Sequence, residues 1–110
     1  MSRLLCNMEA AIDRMGTWDL YVDIARAFAE SLPQAEADIV ASVEQDSWFE
    51  ARRFVHSLKS NCAAVGADAL RERVYILEKA CVDADAQTVA RLWPPLQKEL
   101  RLLREEILAL

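Results

Sequence analysis

Glycine is almost missing from this chain: Gly16 and Gly66 are the only two in 110 residues, and there are only three prolines. A fold of many strands needs turn residues at every hairpin. These counts exclude one and point to long helices with short connections. Histidine occurs once, as His56, and the three cysteines (Cys6, Cys62, Cys81) form no C-x-x-C pair, so a zinc site cannot be completed. Cys62 and Cys81 read as reduced core residues, with a redox role as the lesser alternative. Net positive charge is also lacking. At -5 the chain has no basic excess with which to neutralise nucleic-acid phosphates. No apolar run approaches the length that spans a bilayer. The opening MSRLLCNMEAAIDRM is too often interrupted to be a signal peptide, so a cytoplasmic location is expected.

What is present is a soluble globular composition, 54% hydrophobic and 28% charged. A chain this long hides roughly 65% of its unfolded surface, enough for one core, and a single domain over residues 1–110 is expected. Apolar residues recur at helical spacing nearly throughout. Leu5, Met8, Ile12 and Met15 mark a short first helix ending at Gly16. Thr17 can cap a second, with the stripe Leu20, Ile24, Phe28. Pro33 either starts a fresh helix or kinks a long one, and the stripe resumes at Ala35, Ile39, Val43. Ser47-Trp48-Phe49-Glu50 is a capping-box pattern for a helix running to Gly66, with Trp48, Ala51, Val55, Leu58, Cys62 and Val65 inward. Leu70, Val74, Leu77 and Cys81 define a helix from about Asp68. Val89, Leu92, Leu96, Leu100, Leu103 and Ile107 define a last one, which Pro94-Pro95 should kink or restart. The three tryptophans, Trp18, Trp48 and Trp93, read as packing residues. The charged face from Lys98 to Glu106 reads as solvated surface. The fold class expected is all-α: an antiparallel four-helix bundle with an additional short N-terminal helix.

Around the third helix, at 100° per residue, His56 falls off the core stripe. Its neighbours at three-, four- and seven-residue offsets are Phe49, Arg52, Arg53, Lys59, Ser60 and Ala63. Clustered cations disfavour the imidazolium and favour a dianionic group on the ring. Lys59 is a flexible point charge suited to a phosphoryl oxygen. A neutral imidazole in that setting can carry phosphate covalently. The bland reading is surface decoration, since a lone helical histidine near basic residues is common.

The run His56-Ser57-Leu58-Lys59, followed by Gly66-Ala67 and Leu70, resembles the signature of the histidine-containing phosphotransfer (HPt) domain. Asp46-Ser47-Trp48, Phe28 with Leu32-Pro33, and Leu77-Glu78 resemble further segments of that family, so the likeness extends from about Leu5 to Ile107. One position departs: the family usually has Gly after the Lys, where this chain has Ser60. A mid-helix Gly costs roughly 0.5–1 kcal/mol, so the family must gain from it, and access to the histidine is the evident gain. Ser60 either crowds a partner or offers its hydroxyl to a phosphoryl oxygen; tolerance is expected.

The resemblance implies that His56 is the phosphoacceptor and Lys59 stabilises the phosphoryl group. It implies exchange with an aspartate of a response-regulator receiver domain, within a relay fed by a hybrid sensor histidine kinase. The chain itself would need no cofactor, because Mg²⁺ would belong to the receiver. With no Gly-rich phosphate loop, P-loop or acidic metal cluster, the chain would not take phosphate from ATP itself. The docking face would centre on His56, with Phe49 and Ala63 apolar and Arg52, Arg53, Lys59, Ser60 and Asn61 around them; partial burial of Phe49 is the alternative. A monomer is expected, with no membrane insertion, and Met1 with the compact ends points to a free-standing protein. A degenerate, non-catalytic adapter that binds a receiver or kinase is the competing function. The dimeric phosphoacceptor domain of a histidine kinase fits less well, because Ser57 stands where that family has an acidic residue and no proline follows before Pro94.

Overall fold

A computed structural model describes residues 4–110; the first three residues of the expected 1–110 unit lie outside the described residues. The chain is all-helical, with α1 (Met8–Met15), α2 (Trp18–Glu44), α3 (Trp48–Ala64), α4 (Asp68–Val82) and α5 (Ala86–Leu108). No strand occurs among the described residues. Helix α2 packs on α3 and α5, α4 packs on the same two, and α1 lies against α2. The longest axis, 41 Å, is about the length of the 27-residue α2 at ~1.5 Å per residue.

The stripes of α3, α4 and α5 lie where periodicity places them. Ala51, Val55, Leu58, Cys62 and Val65, then Leu70, Val74, Leu77 and Cys81, then Val89, Leu96, Leu100, Leu103 and Ile107 are all buried. Burial pushes the Cys62 thiol up to about 12 and Cys81 up to about 11, the latter helped by Glu78, so both are free but inert core residues. In α2 the expected stripe is one step off at its start, while Phe28 and Ile39 are buried as expected. Leu20 and Ile24 are exposed, and Tyr21, Ala25, Phe28, Ala29 and Leu32 face the core. The small Ala25 and Ala29 let the neighbouring helices approach, which outweighs burying the larger pair. Trp18, expected to pack, is exposed and only stacks on Tyr21, with ring centroids 6.0 Å apart.

Neither proline site breaks its helix. Pro33 has no N–H to give the Ala29 carbonyl; Arg104 of α5 donates to that carbonyl instead, at 3.2 Å. Pro94 and Pro95 lie inside α5, which does not restart there. Thr17 caps α2 as expected, accepting from the Leu20 N–H at 3.2 Å. Ser47 does not cap α3: its side chain makes no cap bond, and Glu50 pairs with Arg53 instead of reaching back.

The connections between the four long helices are three copies of one motif. Ser47, Ala67 and Asp85 each donate a backbone N–H five residues back, to Ser42, Cys62 and Ala80, at 2.8–2.9 Å. Asp46, Gly66 and Ala84, all at positive φ, each donate three residues back. This pair of bonds is the Schellman motif. Ser47 ends α2's motif at φ -87° and ψ 69° without a side-chain cap bond, whereas Asp85, at the same position of the third copy, accepts from the Thr88 N–H at 3.1 Å.

Only Gly66 among the three is a glycine, and it carries a second constraint. A Cβ there would lie 2.6 Å from both the carbonyl carbon and the oxygen of Asn7. The Asn7 N–H donates to the Gly66 carbonyl at 3.0 Å, and the Tyr21 hydroxyl donates to the Val65 carbonyl at 2.8 Å. The N-terminal segment thus seals onto the end of α3. Gly66→Ala should destabilise the protein by about 2–3 kcal/mol, from strained φ plus the clash. Ala84→Gly should stabilise it by up to about 1 kcal/mol, by relieving positive φ alone. Urea-denaturation midpoints of the two variants check the opposite signs.

Candidate functional site

Helix α3 presents His56 on its outer side, because the buried residues Ala51, Val55, Leu58 and Cys62 occupy the inner one. The imidazole is 58% exposed. Its Nδ1 lies 2.6 Å from Oε2 of Glu78, on α4. The second oxygen of the same carboxylate accepts from Lys59 Nζ at 2.7 Å. The Glu78 side chain is only 9% exposed, so one nearly buried carboxylate bridges the histidine and the lysine. Lys59 also sits 5.3 Å from the centroid of the Tyr75 ring, and Lys79 sits 5.7 Å from it.

This geometry selects a tautomer. Burial pushes the Glu78 carboxyl up, but hydrogen bonds from Lys59 and His56 and their charge outweigh it and hold the carboxyl below its ordinary value. An ionised carboxylate only accepts, so His56 must donate from Nδ1. In the neutral ring the lone pair is then on Nε2, which meets no hydrogen-bond partner among the described residues. The site is therefore an exposed imidazole with Nδ1 held by a nearly buried carboxylate, Nε2 able to act as a nucleophile in the neutral ring, and an ammonium one helical turn away.

The expected site residues divide. His56 and Lys59 are brought together through Glu78. Phe49 lies on the same side of α3, 67% exposed, so burial against a neighbouring helix is excluded. Ser60 is exposed and Ala63 half-buried, one and two turns beyond His56. The arginines are not a cationic cluster about the ring. Arg52 lies over Phe49 at 5.7 Å, and Arg53 pairs with Glu50 at 2.7 Å and lies over Phe54. The group next to the imidazole is an anion, which corrects the expectation of cations on both sides. Asn61 turns to a groove between α2 and α3 with Phe28 and Ser57, away from His56.

Glu78, Tyr75 and Lys79 were absent from the expected set. Glu78 did carry one signal: it lies on the flank of the Val74, Leu77, Cys81 stripe, an acidic residue where the helix begins to bury itself.

A family model described as "Hpt domain" matches residues 23–110. A search of curated proteins and a search of solved structures returned no match.

Glu78→Gln should cost about 1–3 kcal/mol at pH 7, since the half-buried Lys59 ammonium loses its counter-charge and the His56 Nδ1–H its charged acceptor. The carboxyl sits below its unfolded value of 4.5, so its contribution is present above that pH and disappears as pH falls through the folded value. The stability gap between wild type and Glu78→Gln should therefore narrow below about pH 4.5, as measured by denaturant titration from pH 7 to pH 3.

Proposed function

Because this chain belongs to the Hpt domain family, with its phosphotransfer role in phosphorelays, we propose that His56 is the group that carries the phosphate. The observation that carries this reading is the bond between Nδ1 and Glu78, which leaves the Nε2 lone pair free and exposed. The four long helices are taken as an antiparallel bundle, with α1 as the extra short helix and His56 midway along α3.

In the proposed reaction, Nε2 attacks the phosphorus of an aspartyl phosphate on a receiver domain. The N–P bond forms as the P–O bond to the aspartate breaks, and the carboxylate leaves with the bonding pair. No proton has to be removed from Nε2. The ring gains positive charge, and the Glu78 carboxylate at Nδ1 stabilises it. Lys59, one turn along, offers its ammonium to the phosphoryl oxygens. The reverse attack, by the aspartate of a second receiver, unloads the histidine. Mg²⁺ for both steps is assigned to the receiver, and the first phosphate to a hybrid sensor histidine kinase upstream. Among the described residues, no helix is long and apolar enough to cross a membrane.

Phosphate transfer from labelled receiver domains, with Mg²⁺ present, tests the reading. Wild type should acquire acid-labile label and His56→Gln none. Lys59→Ala should acquire it on the order of 100-fold more slowly. Receiver binding without label on wild type would favour the adapter function instead.

A further inference from the structure

Residues 8–15 form a helix outside the segment that the family model matches, so α1 has no role assigned by the family. It nonetheless lies beside the histidine helix. Arg14 of α1 donates from its guanidinium to the carbonyl of Ala63 at 3.3 Å. With Asn7, Ser60, Ala64 and Asp68 it borders an open polar cleft. Asn7 is hydrogen-bonded to Asp68, which closes the far side of that cleft.

Transfer between two proteins fixes where they touch. Nε2 must reach the aspartyl phosphate, so His56 lies near the centre of the contact. A specific interface covers roughly 800 Å² on each partner, a patch of roughly 16 Å radius. Ala63 is seven residues from His56, about 10 Å along the same helix. Arg14 is hydrogen-bonded to Ala63, so α1 falls within the footprint. Arg14 is exposed and forms no ion pair among the described residues. The same holds for Arg52 and Lys79, which flank His56 along α3 and on α4. On a chain of net charge -5, unpaired cations at both ends of this face complement an acidic rim.

The geometry points to α1 as a specificity element for the phosphotransfer partner, in which the Arg14 guanidinium receives an acidic side chain from the receiver domain. This rests on the proposed role of His56. A charge at the rim of a contact acts on encounter rate and salt dependence, not on the chemistry at Nε2. Arg14 is thus a docking residue, and its removal should raise the receiver concentration needed for transfer while leaving the saturated rate alone.

The test loads His56 chemically with phosphoramidate and follows transfer to the receiver domain that exchanges fastest with wild type. Arg14→Glu should raise the half-saturating receiver concentration about 10-fold, Arg14→Gln by less, and both should flatten its dependence on salt. Arg14→Gln keeps a donor for the Ala63 carbonyl, so a purely structural role would leave it like wild type. Equal concentration dependence in all three proteins would overturn the assignment of α1. Loaded wild type that transfers to no receiver would overturn the role of His56, and the assignment of α1 with it.

Discussion

A single carboxylate holds this site together. Glu78 reaches from α4 to α3, accepts from His56 with one oxygen and from Lys59 with the other, and is itself nearly buried. A buried anion is costly unless it is paired and hydrogen-bonded, and Glu78 has both partners. The same two contacts that make its burial tolerable also orient the ring. The imidazole cannot present Nδ1 to a partner, because that nitrogen is occupied, and it must present Nε2. Structure and reactivity therefore rest on one interaction between neighbouring helices.

Everything that fixes the relative position of α3 and α4 serves that interaction. The two helices meet at a three-residue connection whose Schellman bonds run from Gly66 and Ala67 back to Ala63 and Cys62. Gly66 lets the Asn7 backbone pack directly on the turn, and Tyr21 donates to the neighbouring carbonyl of Val65. The buried phenol is pushed up to about 12 and so stays a donor. Beneath His56 the stripe from Ala51 to Cys62 packs against the stripe from Leu70 to Cys81, with the Glu78 carboxylate buried at its edge. Rigid support under His56 suits the proposed transfer, in which the approach is made by the partner.

Local features of this arrangement were legible in the sequence, and distant ones were not. His56 and Lys59 stand three residues apart, so one helix places them together whatever the rest of the chain does. Glu78 joins them across 22 and 19 positions, and only the docking of α4 reveals it. Regular spacing of Leu and Val made α3, α4 and α5 readable. In α2 the buried positions include Ala25 and Ala29, whose small size conceals their importance, and the larger Leu20 and Ile24 drew the stripe one step aside. Gly66 announced its turn. Asp46, of a residue type that tolerates it, adopts the same left-handed conformation, and Ala84 does so with no residue to signal it, because the hydrogen bonds of the motif impose it. Pro33 looked like a break because the donor that completes its turn, Arg104, comes from α5.

The central claim is the tautomer of His56. Long-range proton–nitrogen NMR correlation on the neutral ring reads it directly. A protonated Nδ1 and an unprotonated Nε2, with Nδ1 protonation weakened in Glu78→Gln, is the result this geometry predicts. A proton on Nε2 in the wild type would contradict it, because Nε2 would then have no lone pair with which to take phosphate in the proposed transfer.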